Sequence, residues 1–194
     1  MKENSFALFK YELGRVIARS LNAEKVDQIS PADWTQGPKD APHILIQYGD
    51  FQCPACGSYY PLIKKLLKEH GEEFQFVYRH FPLLIHPYAR VAVQAAEAAG
   101  HQGRFWDMHD LLFEHQAEWS AAPLPEVFFN EYARLMGLNL EQFRKDESSD
   151  EVKDKVERDY YGGLRAGVDG TPTFFLNGEK ILPQSYQEFV ELVH

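Results

Sequence analysis

The chain has 194 residues, 44% of them apolar, with 3 Trp, 10 Tyr and 14 Phe, enough to bury one full core without staples. Its formal net charge is −9, and no basic run is longer than Lys64-Lys65. That balance excludes an electrostatic attraction to nucleic acid or to an anionic membrane surface.

In the first 25 positions Lys10, Glu12, Arg15 and Arg19 interrupt the apolar residues. No run reaches the ~7 to 15 residues of a secretory h-region, and none approaches membrane-spanning length. The expectation is a cytoplasmic chain, or a periplasmic one if the sequence is a processed form. Phe6, Phe9, Leu13, Val16, Ile17 and Leu21 share one helical face, which predicts a helix packed on its own domain. Ser30 to Pro42, rich in Pro and Gly, reads as a connection, so residues 1–36 are helix and linker and the compact part starts near Gly37.

His43 to Gly49, "HILIQYG", predicts a central strand. Directly after Cys53 the period changes: Cys56, Tyr59 or Tyr60, Ile63, Leu66, Leu67 and His70 recur at helical spacing until Gly71. Pro61 falls inside this helix and removes the bond its nitrogen would donate to the Gly57 carbonyl, which predicts a kink. Phe74, Phe76 and Tyr78 mark a second strand, and Pro87 to about Gly167 reads as helical almost throughout, with Gly137 and Gly167 as stops. Asn177-Gly178 signals a type I′ hairpin, and Ser185 with Glu188 a capping box for a final helix.

Both cysteines therefore sit at a strand-to-helix junction. As a staple the pair closes a ring worth only roughly 2 kcal/mol. As half of a zinc site it lacks a second cysteine pair, and His70, His80, His86, His101, His109 and His115 read as surface or satisfied structural histidines. As a redox pair it makes chemical sense. Cys53 at a helix N-terminus meets free N–H groups and the positive end of the dipole, which together lower its pKa by very roughly one unit. Cys56, one turn on, is placed to attack the mixed disulfide that Cys53 forms.

The stretches "YGDFQCPACG", "RHFPL", "HPYARVAVQAAEAAG", "QGRFWDMHDLLFEHQ" and "GVDGTPTFFLNG" together resemble the DsbA-like branch of the thioredoxin superfamily. The resemblance implies an α/β, thioredoxin-like fold with an inserted helical domain: 37–86 as its first part, 87–167 as the insertion and 168–194 as its second part. It implies a thiol–disulfide oxidoreductase acting on protein or peptide thiols and disulfides with a thiol redox partner, and with no metal and no organic cofactor. Cys53 is then the attacking thiol and Cys56 the resolving one, with Pro54 and Ala55 between them. Thr171-Pro172 is the loop facing them, Pro172 in cis, with the Thr171 backbone free to pair with an extended substrate.

Two residues depart from the family pattern. Ala55 stands where strong oxidants carry a histidine. Gln47 stands where many members carry a buried acid, which leaves Asp50, bulk water or nothing as the base. Two other activities stay open: a disulfide isomerase, for which the N-terminal helix supplies a homodimer interface, and a redox-switched binding or chaperone module without turnover.

Overall fold

The computed structural model describes Val26 and residues 28–194. The helix expected on Phe6 to Leu21, and with it the homodimer interface, lies outside the described residues.

Successive strand side chains point to opposite faces, and three strands exploit this on both sides. In β2 (His43–Gly49) Leu45 faces one core, while Ile46 and Tyr48 face the other. In β3 (Phe74–His80) Phe74, Phe76 and Tyr78 oppose Val77, and in β4 (Thr173–Leu176) Phe174 opposes Phe175. With β1 (Trp34–Gln36) and β5 (Glu179–Ile181) they form a five-stranded sheet in the order β1-β3-β2-β4-β5. Only β2 and β3 run parallel, and α1 (Pro54–His70) is the crossover such a pair requires. The missing donor at Pro61 does not end α1, which continues to His70.

The strand β1 corrects the reading of Ser30 to Pro42 as connection alone. Trp34, Thr35 and Gln36 pair antiparallel with Tyr78, Val77 and Phe76. Three residues are too few to show a period, and long-range contacts fix them instead. Arg79 grips both oxygens of Asp33, at 3.0 and 2.9 Å, and donates to the Gln28 carbonyl at 2.7 Å. The Trp34 indole nitrogen donates to Glu97 at 2.7 Å, and its ring stacks on Phe105 with centroids 4.4 Å apart.

The insertion contains α2 (Ala89–His101), α3 (Phe105–Glu114), α4 (Gln116–Ser120), α5 (Glu126–Leu135), α6 (Leu140–Glu147) and α7 (Asp150–Arg165). Gly137 and Gly167 end α5 and α7 with φ of 72° and 80°, values that favour glycine. Gly100 lets α2 approach β1 closely, since a Cβ there would stand 2.4 Å from the Trp34 ring. Phe105, Trp119, Phe129 and Phe143 fill the larger core with α1, whereas Tyr160 and Leu164 of α7 cover the opposite face of the sheet.

Asn177 and Gly178 adopt φ of 50° and 84°, the left-handed pair a type I′ turn requires. Ser185 caps α8 (Tyr186–Val193) by accepting from the Glu188 N–H at 3.3 Å. The Glu188 carboxylate returns to the Gln184 N–H at 2.9 Å, one residue earlier than a capping box directs it.

Candidate active site

The turn between β2 and α1 is built by Asp50. Its carboxylate accepts from the Gln52 N–H at 2.7 Å, and its carbonyl accepts from the Cys53 N–H at 3.1 Å, an Asx-type turn that delivers Cys53 to the start of the helix. The other carboxylate oxygen accepts from the Leu83 N–H at 2.9 Å and pairs with His86 Nδ1 at 2.7 Å. Asp50 is fully buried, so these partners meet the requirement that a buried charge be satisfied. A second clamp comes from α4. Gln116 Nε2 donates to the Phe51 carbonyl at 2.6 Å and the Cys53 carbonyl at 2.9 Å. This approach needs Gly57, where a Cβ would stand 2.4 Å from Gln116 Oε1.

Both thiols are free and buried, Cys53 with 6% of its surface exposed and Cys56 with none. Cys53 is the N-cap of α1, without a side-chain cap bond and with no acid in the first turn to offset the positive helix end. Its pKa falls to about 5, chiefly because the Cys56 thiol donates to its sulfur. Burial opposes that shift, and Thr171 and the backbone N–H groups of Cys56 and Ala55 add to it. Cys56 moves the other way: burial pushes its thiol well up, and the neighbouring Cys53 sulfur adds to that. The expectation of very roughly one unit from the helix end alone is therefore corrected, because the donors from Cys56 and Thr171 exceed it.

Thr171 serves the two states of Cys53 differently. The protonated sulfur donates to the Thr171 carbonyl at 3.3 Å. The ionised sulfur has no proton to give. The Thr171 hydroxyl, buried and without a hydrogen-bond partner, is the nearby side-chain donor that helps hold the Cys53 pKa down. The Thr171-Pro172 peptide is cis, and both residues are half-buried.

Pro54 and Ala55 are exposed, and from position 55 only the backbone N–H, not the side chain, serves the sulfur as a donor. Gln47 is buried in β2, level with Tyr78 and Phe174. Asp50, the other residue considered for moving a proton, lies beside the thiols through its backbone. Its backbone N–H is directed at Cys56, and its carboxylate meets the surface through His86, 16% exposed.

Three residues here carried no functional signal of their own in the sequence. Gln116 and His86 lie within the family-like stretches but at no recognisable spacing from the cysteines. Tyr78 has a strand pattern alone in the sequence; its buried hydroxyl has no partner, and burial raises its pKa well above normal, with Cys56 adding to the shift. His86 is a satisfied structural histidine, as its class predicted.

Comparison with known proteins follows the geometry. A family model described as thioredoxin matches residues 30–194. Among solved structures, BdbD from Bacillus subtilis in its oxidised form superposes with a TM-score of 0.75 at 22% identity, covering 89% of this chain and 97% of that one. Wolbachia pipientis alpha-DsbA1 superposes with a TM-score of 0.78 at 19% identity, covering 89% and 94%. Among curated sequences, the Na(+)/H(+) antiporter NhaA 1 of Salinispora arenicola is 43% identical over 149 residues, 76% of this chain but 22% of that protein. The chain thus spans about a quarter or less of the curated relatives it matches first. Among the described residues no helix is long and apolar enough to cross a membrane. The chain belongs to the thioredoxin family, and it has the helix-inserted fold of that family's DsbA-like members.

Proposed function

We propose that the protein is a thiol–disulfide oxidoreductase that exchanges its Cys53–Cys56 dithiol or disulfide with exposed thiols or disulfides of proteins and peptides. One observation carries the reading: the two thiols are displaced in opposite directions, Cys53 down to about 5 and Cys56 well up. Such a pair holds one thiolate ready at neutral pH and keeps the other protonated until needed.

In the reducing direction the Cys53 thiolate attacks one sulfur of a substrate disulfide. A mixed disulfide forms and the other substrate sulfur leaves as a thiolate. Cys56 then gives up its proton and attacks the Cys53 sulfur; the mixed disulfide breaks, the second substrate thiolate leaves, and two electrons have passed from enzyme to substrate. The oxidising direction is the same sequence reversed, and the poise of the thiol pool selects between them. The compartment belongs to the proposal too: a cytoplasmic pool favours reduction, an oxidising one disulfide formation.

The antiporter names belong to much longer proteins, and without a membrane-spanning helix among the described residues transport is not the activity proposed here. Turnover of an exposed test disulfide with a thiol donor tests the reading. Cys53→Ser should abolish it. Cys56→Ser should leave the first attack intact and accumulate mixed disulfides. Stoichiometric reaction without turnover, or equal loss in both variants with nothing trapped, would overturn it in favour of a switched binding module.

A further inference from the structure

At the opposite end of α1 from the thiols, two helices finish side by side. α1 ends at His70 and α8 at Val193, and Glu73 lies in the turn that leads to β3. Both helices direct the negative ends of their dipoles toward this corner, which favours a cation. Glu73 Oε1 is 3.1 Å from His70 Nδ1, and Glu73 Oε2 is 2.7 Å from His194 Nδ1. The two imidazole rings stand at 86° with centroids 4.8 Å apart, so they converge on the carboxylate instead of stacking on each other. Their nitrogens and the carboxylate oxygen all lie within 4.8 Å, and among the described residues no other group of three His, Cys, Asp or Glu side chains meets that condition.

Two imidazoles and one carboxylate are a donor set that zinc accepts, with a fourth position left for water. Ligands at ~2.0 to 2.1 Å around a tetrahedral ion stand about 3.4 Å apart, so an ion draws the donors, now up to 4.8 Å apart, together and needs small shifts of the side chains, above all of Glu73. It has that freedom, since its side chain is 33% exposed. The mixed nitrogen and oxygen set disfavours calcium and magnesium, which take oxygen ligands in larger number. We propose that His70, Glu73 and His194 form a binding site for a divalent transition-metal ion of the zinc class. The ion replaces the hydrogen bonds through which the carboxylate now joins the two rings, and it clamps the end of α1 to the end of α8. Its role is structural: α1 has 17 residues, which puts the site about 25 Å along the helix from Cys53.

The test uses the full chain with Cys53 and Cys56 oxidised to their disulfide, because the reduced pair is itself a zinc ligand. Competition against a chromophoric chelator should show one Zn²⁺ per chain. His70→Ala, Glu73→Gln and His194→Ala should each weaken it at least tenfold, with unchanged circular dichroism. Co²⁺ added to the oxidised wild type should give the intense visible bands of a tetrahedral ion, and Zn²⁺ should raise its unfolding temperature. These wild-type readouts decide the matter even if a variant folds poorly. Absence of stoichiometric binding, or binding that survives all three substitutions, overturns the proposal.

Discussion

Cys53 and Thr171 are 118 positions apart, yet the Cys53 sulfur donates to the Thr171 carbonyl at 3.3 Å, and the Thr171 side chain helps hold the Cys53 pKa down. Thr171→Val keeps the shape and the carbonyl but deletes the hydroxyl. The Cys53 pKa should rise from about 5 by roughly one unit, the worth of one hydrogen bond to a charged group. Thiolate absorbance against pH measures this directly, and an unmoved midpoint would remove the hydroxyl from the account.

The same ionisation sets a reduction potential, since whatever stabilises the thiolate stabilises the reduced form. A Cys53 pKa of about 5 lies between the ~7 of thioredoxin and the ~3.5 of a strong oxidant, so the potential should fall between about −270 and −120 mV. Ala55→His adds a donor beside the sulfur and should move it positive, about 30 mV for each 1.4 kcal/mol. Equilibration with glutathione reads both values. A wild-type potential at −120 mV, or a negative shift in the variant, contradicts the coupling.

Reaction rate should follow the Cys53 thiolate: it falls as pH drops through about 5 and levels off above pH 6. Resolution should respond to a different residue. If Asp50 accepts the Cys56 proton, Asp50→Asn slows release of the mixed disulfide, on the order of 100-fold, and leaves the first attack unchanged. His86→Ala strips the buried carboxylate of one partner and should cost about 2 kcal/mol in denaturant unfolding. Equal slowing of both steps by Asp50→Asn points instead to a distorted turn.

Acid should loosen the β1 edge. Burial alone would raise Asp33, but the Arg79 guanidinium outweighs it and holds the carboxyl below its usual value. A depressed pKa in the folded state stabilises above the unfolded value of about 3.9, and that contribution is lost as pH falls through the folded one. Asp33→Asn should therefore destabilise the protein by about 3 kcal/mol at pH 7, because it leaves the Arg79 charge, 13% exposed, without its carboxylate. The deficit should shrink below pH 4. A deficit independent of pH would show that shape, not charge, is what Asp33 contributes.

The sequence carried the sheet strands that are long enough to alternate and the helices long enough to repeat. His43–Gly49, Pro54–His70 and the Asn177-Gly178 turn each follow from local chemistry. Trp34–Gln36 does not, because three residues show no period and the partners that fix it, Arg79 on Asp33 and Glu97 on Trp34, come 46 and 63 residues later. The cysteines were legible because a helix start perturbs a thiol by itself. The size of that perturbation was not, since it depends on Thr171 and on how tightly Cys56 is enclosed. Gln116 belongs with these: a glutamine opening a short helix carries no mark of the carbonyls it will meet.

The Gln116 clamp and the Thr171 contact also set a time at which the chain becomes reactive. During synthesis residues 53–56 emerge long before either partner exists, with the thiols of an ordinary peptide, near 8.5. The brace on the Cys53 carbonyl waits for α4, and the Thr171 donor that adds to the acidity of the sulfur waits for the segment leading into β4, late in the fold. A chain that stops short of Thr171 holds the same two cysteines but lacks that donor, so less of its Cys53 is ionised at neutral pH than in the finished fold.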